Sequence, residues 1–496
     1  MRTVKKSTTV LRSIMNRRAV FDVTGLINWY AYMRNPSGIQ RVMENVLGRP
    51  LLAARPDTLF IFRPIGSDKF YIVNPSYIMG LNNPELRRYS IACLRRVFAE
   101  SMRIGDPVKV WNEMLSDHLT YMAIGWGGVA RHWEALNLGH WPPKGQPLQE
   151  LRDLSNHDLV IVLGDFWCHR DQANALIRLK SRTGAGMMLM IHDLFAVNHP
   201  EWTHPHYGKE FCTQFESLSH HVDHWLTNSQ YVRQQLRDEL AQRGLASPEI
   251  DILPMGGPIP LPRPKWTASN NKILDVNGLT KGNYYLCVGT VEPRKNLTNL
   301  IDAVVQLDKE GAAKHPVCVV VGRPGWRSKD IIARLRSTEE QRGCIRWISD
   351  ASDDELAVLY QGARFSIVPS HDEGWGLVVQ ESIRYCVPCI AVAVGGLREA
   401  GCDLATFVKS ASTEDLRKAI AKYLTDNTAL SRARRRIRSH LVSGPSLPSW
   451  RDSAAFLLRL ARLVQPTANP RHLSPNRVTT WFQEPHKSPV TSFNAD

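Results

Sequence analysis

The chain has 496 residues, 43% of them hydrophobic and 22% charged, a composition that supports packed cores and excludes disorder along the whole length. Lysine and arginine outnumber aspartate and glutamate by 62 to 47, and the resulting net charge of +15 suits anionic partners: nucleic acid, phosphorylated small molecules or an acidic membrane surface. No apolar run approaches the ~18–20 residues of a membrane span, and the basic start has no signal-peptide core behind it, so a cytoplasmic protein is expected. The nine cysteines are scattered and odd in number, which is not a disulfide framework. Cys386-Val-Pro-Cys389 has redox or zinc spacing, but with no second pair to complete a ligand set it is read as structural.

In chain order, a basic extension (1–18) precedes a first domain (19–254) in which short apolar strands alternate with helical stretches. Ala19–Val23, Leu159–Leu163, Met187–Ile191 and His224–Asn228 are apolar on both faces, as parallel strands covered by helices are. Pro254 to Pro264 is proline-rich and opens a linker (255–282). Alternation resumes in a second domain (283–447) at Tyr284–Val288, Val317–Val321, Cys344–Ile348, Phe365–Pro369 and Val387–Val392. A terminal helix (448–465) and a Pro-, Asn-, Ser- and Thr-rich tail (466–496), expected to be disordered, complete the chain. The fold class is α/β: two doubly wound domains whose ligand crevice lies at the carboxyl ends of the strands.

The chemistry concentrates in two segments of the second domain. Pro369-Ser-His-Asp-Glu373-Gly-Trp-Gly376-Leu377 places Glu373 at a strand's end and Glu381 about one turn into the following helix. The helix start near Gly374–Leu377 offers backbone N–H groups to a phosphate, and each carboxylate can accept sugar hydroxyls. Gly289-Thr290-Val-Glu-Pro-Arg294-Lys295-Asn296 follows the first strand of the domain, with Pro293 and Asn296 favouring a turn and a helix N-cap. Arg294 and Lys295 then sit in the same crevice, able to neutralise a diphosphate.

These motifs resemble the retaining family-4 glycosyltransferases of GT-B fold. The family's E-x7-E element matches Glu373 and Glu381, and its G-T-x-E-P-R-K-N turn matches Gly289 to Asn296. Val320–Gly322, Arg346–Ile348, Asp354–Tyr360 and Gly395–Gly396 also lie where the family has similar stretches. Phe21-Asp-Val-Thr with Pro36-Ser-Gly38-Ile-Gln-Arg41, and Ile191-His192-Asp193-Leu194 with His199-Pro-Glu-Trp, look like the mannosyltransferase-B-like branch. The chain departs from the family pattern at Leu377–Gln380 and at Arg384–Pro388.

The resemblance implies two Rossmann-like domains facing a cleft and transfer of a hexose, with retention, from a nucleotide-diphospho-sugar. The implied donor is GDP-mannose, and the implied acceptor is a glycan or lipid-linked oligosaccharide of surface polysaccharide biosynthesis. Glu373, Lys295, Arg294 and His192 are the implied catalytic residues. Gly38, Thr290, Gly374, Trp375, Gly376, Leu377 and Glu381 are the implied donor-binding residues, Glu381 on the ribose diol. No resident cofactor is expected, the nucleotide sugar being a co-substrate. The sequence holds no Asp-x-Asp motif, and Arg294 and Lys295 can supply a divalent cation's electrostatic work. Nucleic acid is not an expected partner, because the basic residues are dispersed and no nucleic-acid motif occurs. The alternatives are an epimerase or phosphorylase on the same fold, and a non-catalytic protein binding an anionic ligand or nucleic acid.

Two further expectations concern the first domain. Trp111, Trp126, Trp133 and Trp141 form either an acceptor-binding insertion or a small satellite core. Leu86 to Arg103 reads as a basic amphipathic helix, with Arg88, Arg95, Arg96 and Arg103 along one face, suited either to an anionic membrane surface or to packing on the sheet.

Overall fold

A computed structural model describes residues 17–33, 35–109, 148–167, 169–245, 249–257, 268–311 and 316–464. The Trp111–Trp141 stretch, the extension up to residue 16, most of the proline-rich segment and the expected disordered tail lie outside them. The first domain is built on an eight-stranded sheet of β1 (Ala19–Asp22), β2 (Thr58–Phe62), β3 (Tyr71–Val73), β4 (Gln149–Glu150), β5 (Leu159–Val162), β6 (Gly186–Ile191), β7 (His224–Thr227) and β8 (Ile250–Ile252), in the order β4-β3-β2-β1-β5-β6-β7-β8. Its centre is parallel, and at one edge the β2–β3 and β3–β4 pairs are antiparallel. Every residue of β1, β5, β6 and β7 is buried, because helices cover both faces. Adjacent residues serve opposite cores: Phe21 packs with Val46 and Leu52, whereas Val20 packs with Leu176 and Leu189.

Four helices of this domain bear on the site and its surroundings: α1 (Thr24–Tyr32), α2 (Gly38–Leu47), α3 (Arg87–Ser101) and α4 (Gln230–Gln242). Leu94, Val97 and Phe98 of α3 are buried in the domain core. Arg95 turns inward, its Nε donating to Tyr30 O at 2.8 Å, and Arg96 pairs with Glu100 at 2.7 Å. The apolar side of α3 is therefore spent inside the domain, chiefly against α1, and half of the expected arginine face is engaged, which favours packing within the domain over the membrane reading. No helix among the described residues is long and apolar enough to cross a membrane.

The second sheet contains β9 (Tyr284–Val288), β10 (Val317–Val321), β11 (Ile345–Ile348), β12 (Ser366–Val368), β13 (Cys389–Val392) and β14 (Thr406–Val408). All are parallel in the order β11-β10-β9-β12-β13-β14, so the strand order reverses between β9 and β12. That reversal opens the crevice where doubly wound sheets bind ligands. Cys389 is buried at the start of β13, and Cys386 lies on the turn before it.

The expected linker is shorter than 255–282, because α5 (Ala268–Val276) already belongs to the second domain. Its Ile273 and Leu274, with Leu279, join the core that holds Tyr284 and Leu286. The further helices that matter here are α6 (Leu297–Lys309), α7 (Asp353–Gly362), α8 (Leu377–Arg384), α9 (Leu397–Gly401) and α10 (Trp450–Leu463). A capping box of Ser352 and Glu355 starts α7, and one of Ser449 and Asp452 starts α10. The chain returns to the first domain at α10, where Trp450, Ala454 and Leu457 complete the core around Phe21.

Candidate active site

Between the carboxyl edges of the two sheets lies a cleft of about 600 Å³, a size that suits a nucleotide-sized ligand. All eleven residues singled out from the sequence line it: Gly38 and His192 from the first domain, and Thr290, Arg294, Lys295, Glu373, Gly374, Trp375, Gly376, Leu377 and Glu381 from the second.

After β9 the chain forms a single 3₁₀ turn, Pro293–Lys295, and Asn296 ends it in the left-handed region with φ of 53°. Asn296 stands at the N-cap position of α6 as expected, but its side chain does not cap. Its Nδ2 donates instead to Pro369 O at 3.0 Å and Ala411 O at 2.7 Å, tying the basic turn to neighbouring loops. The turn thereby presents both cations to Glu373. Arg294 Nη1 donates to Glu373 Oε2 at 2.6 Å, Lys295 Nζ to Oε1 at 2.5 Å, and Ser370 Oγ to Oε1 at 2.8 Å. Burial alone would push the Glu373 carboxyl up, but Arg294 and Lys295 overcome it and hold the group at about 2. Arg294 is secured further by Glu292 at 2.7 Å and lies over the Phe195 ring, 4.6 Å from its centroid.

Glu381, on α8, has a different environment. Burial raises its carboxyl pKa, opposed by Arg41 and by a 3.3 Å bond from Tyr360 Oη. Arg41 comes from α2 of the other domain and pairs with Asp353 of α7 at 2.7 Å. The two domains also meet at the glutamate loop. Ser229 Oγ donates to Gly374 O at 2.6 Å, and Tyr231 Oη to Asp372 Oδ2 at 2.6 Å. Glu399 of α9 accepts the Gln230 and Tyr231 amides at the start of α4, at 2.8 and 2.9 Å. A Cβ on Gly374 would stand 2.1 Å from His192 O, so glycine permits this contact; Gly376, at φ of 112°, starts α8 in a backbone region that side chains avoid.

His192 is buried, with Nε2 2.7 Å from Leu163 O. Burial lowers its pKa to about 4 against the opposing pull of that bond. It is a neutral imidazole near pH 7 whose Nε2–H is donated to the Leu163 carbonyl. Gly38 opens α2, and a Cβ placed on it meets nothing within 4 Å, so no close protein contact requires glycine there.

Sequence reasoning did not identify Arg41, Asp353, Asp165 or Asp193 as site residues. Asp193 lies within the H-D-L segment and Arg41 within the glycine-loop match. Asp165 follows the apolar run of β5 just as Asp193 follows β6, and that shared position was the available signal. Gln40 Nε2 donates to Asp165 Oδ2 at 2.5 Å, and Ser37 Oγ donates to Gln40 in turn.

Residues 269–440 match the family profile described as glycosyl transferases group 1. Over 321 residues, 64% of this chain, the sequence is 25% identical to the serotype-specific mannosyltransferase WbdA of Escherichia coli and covers 38% of that protein. Over 116 residues, 23% of this chain and 30% of the relative, it is 34% identical to the O-antigen chain mannosyltransferase B of Escherichia coli. The chain thus spans well under half the length of either relative. Among solved structures, Anabaena Alr3699/HepE in complex with UDP superposes with a TM-score of 0.51 and 12% identity, covering 90% of this chain and 99% of that one. That likeness extends over both domains and identifies the frame as GT-B.

Proposed function

We propose, from a chain whose residues 269–440 form a group 1 glycosyltransferase domain within a GT-B frame, that it is a retaining glycosyltransferase. It moves a hexose, mannose from GDP-mannose, onto a glycan or lipid-linked oligosaccharide in surface polysaccharide biosynthesis. One observation carries the reading. Arg294 and Lys295 converge on Glu373 at the strand-order reversal of the second sheet, inside a cleft whose other wall belongs to the first domain.

As the bond between the anomeric carbon and the diphosphate breaks, negative charge grows on the leaving oxygen. Arg294 and Lys295 stabilise it, with the amides at the start of α8, in a site where water competes weakly. Glu373 keeps the two cations in place and turns toward sugar hydroxyls as the diphosphate takes them over. Glu381 accepts the ribose diol, converting binding energy into orientation. The acceptor oxygen bonds to the anomeric carbon on the face that the diphosphate leaves, and the departing phosphate oxygen takes the acceptor proton. No nucleophile on the chain is needed. His192 closes the site from the first domain as a neutral group. The mannose assignment draws support from what the two Escherichia coli relatives are named for.

The test is a panel of nucleotide sugars read by thermal shift, followed by nucleotide-diphosphate release with and without a glycan acceptor. A ligand present at about 100 times its Kd adds about 2.7 kcal/mol to the folded state and raises the midpoint. GDP-mannose should give the largest shift, and release should require acceptor. Interconversion of donors without acceptor would instead favour an epimerase, and a salt-sensitive gel shift with no donor response would favour a nucleic-acid binder.

A further inference from the structure

We infer that the first-domain wall of the cleft receives an uncharged sugar as acceptor, holding its hydroxyls at Asp165 and Asp193, and disfavours phosphorylated acceptors. The inference rests on the sugar-transfer reading above.

Asp165 and Asp193 leave the carboxyl ends of the adjacent strands β5 and β6, and both line the cleft. Asp165 accepts one bond, from Gln40, and Asp193 one long bond of 3.4 Å from the Phe195 amide. A carboxylate can accept about four hydrogen bonds, so both keep unused acceptor capacity toward the cavity. Two amides also belong to the lining, each with a side-chain oxygen enclosed by protein. Asn228, only 5% exposed, donates Nδ2 to His192 O at 2.8 Å while its Oδ1 has no partner among the described residues. Asn28 uses Nδ2 toward His169 at 2.6 Å, and its Oδ1 is likewise without a partner there. Asp165 and Asp193, half-buried on the lining with acceptor capacity to spare, suit a ligand that brings donors.

Sugar hydroxyls bring donors, whereas a phosphate dianion brings only acceptors and negative charge. Among the described lining residues Arg41 is the one lysine or arginine from the first domain, and Asp353 takes it. In the second domain Arg294 and Lys295 serve the departing diphosphate on the sugar-transfer reading, and Arg323 pairs with Asp350 at 3.3 Å. Burial raises the Asp165 carboxyl to about 7, with the charge of Asp193 adding to it, and raises Asp193 to about 6 although Arg294 opposes the change. Asp193, mostly ionised near pH 7, would repel a phosphate placed beside it in a partly dry site. Trp29, Tyr32, Trp167, Trp202 and Tyr207 line the same wall, and aromatic side chains suit the apolar side of a pyranose.

The experiment offers the full-length protein, with whichever donor gives the thermal shift above, methyl α-mannoside and mannose 6-phosphate as paired acceptors. It then repeats the kinetics with Asp165→Asn. Transfer to the methyl glycoside should exceed transfer to the phosphate at least tenfold in kcat/KM. Asp165→Asn should raise acceptor KM about tenfold, with donor KM changing much less. Equal or better use of mannose 6-phosphate overturns the inference, as does an unchanged acceptor KM in a folded Asp165→Asn protein. Both results leave the transferase reading standing. If no nucleotide sugar shifts the midpoint, the transferase reading fails and this inference falls with it. The paired-acceptor comparison uses the unaltered chain and so holds even if the variant does not fold.

Discussion

Glu373 shares one carboxylate between two cations, which makes the site a pH-dependent contributor to stability. Its folded pKa, about 2, lies below the ordinary 4.5, because the pull of Arg294 and Lys295 exceeds the opposing effect of burial. The stabilisation is therefore complete above pH 4.5 and is lost as pH falls from there toward 2. A shift of that size corresponds to about 3 kcal/mol. Urea unfolding at pH 5 and near pH 2.5 should show the wild type losing about 2 kcal/mol more than Glu373→Gln, which starts less stable and declines less; parallel declines would separate Glu373 from the effect. Lys295→Ala tests catalysis rather than stability, since Arg294 still neutralises Glu373 and the fold should persist. The loss of one charged contact to the departing diphosphate should cost about 2–4 kcal/mol of transition-state stabilisation, tens- to several-hundred-fold in kcat/KM. Near-wild-type kcat/KM in a folded Lys295→Ala protein would remove Lys295 from the site.

The loops that carry the site and the helices that follow them were the most legible elements, because their signals are local. The apolar runs that became β9 and β12, the Gly-x-Gly turn before α8, and the basic turn before α6 can each be read within about ten residues. Partnership was not legible, because it depends on segments far apart in the chain: Arg294 reaches Glu373 across 79 positions and Arg41 reaches Asp353 across 312. Asn296 shows the same limit at one residue, since its local cap preference loses to two carbonyls that only the folded neighbours supply. Two glycines in the site make a contrast of consequence at this scale. Gly374→Ala pushes a methyl group into His192 O and should part the glutamate loop from the first domain, lowering the melting temperature and weakening donor binding. Gly38→Ala puts its methyl group in open space and adds helix propensity to α2, so the melting temperature should hold or rise. Thermal melts of both variants decide this; equal destabilisation would mean that α2 begins in a tighter environment than its geometry allows.

Across the whole molecule, the two domains are joined covalently twice, by the segment at 254–257 and by the return into α10, and these strands of chain run together. Ser453 Oγ donates to Pro254 O at 2.6 Å, and Gln380 Nε2 donates to Met255 O at 2.9 Å. Elsewhere along the domain boundary the contact is ionic. Arg41 meets Asp353, and Arg323 meets both Asp350, at 3.3 Å, and the Asn35 carbonyl, at 3.4 Å. A boundary fastened in part by chain and packing, and in part by partly exposed ion pairs, should loosen first at the ion pairs. Arg41→Ala should therefore increase the radius of gyration of the ligand-free protein in small-angle scattering, and high salt should do the same to the wild type by screening the pair. Asp353→Ala should match Arg41→Ala, the double variant should add little to either, and the exchange Arg41→Asp with Asp353→Arg should recover part of the closure. Contacts of this kind couple by about 0.5–1 kcal/mol, enough to move an equilibrium between open and closed forms two- to fivefold. If the radius of gyration in all five proteins is the same and does not respond to salt, these ion pairs do not hold the cleft, and the glutamate-loop contacts of Ser229, Tyr231 and Glu399 must keep the domains together without them.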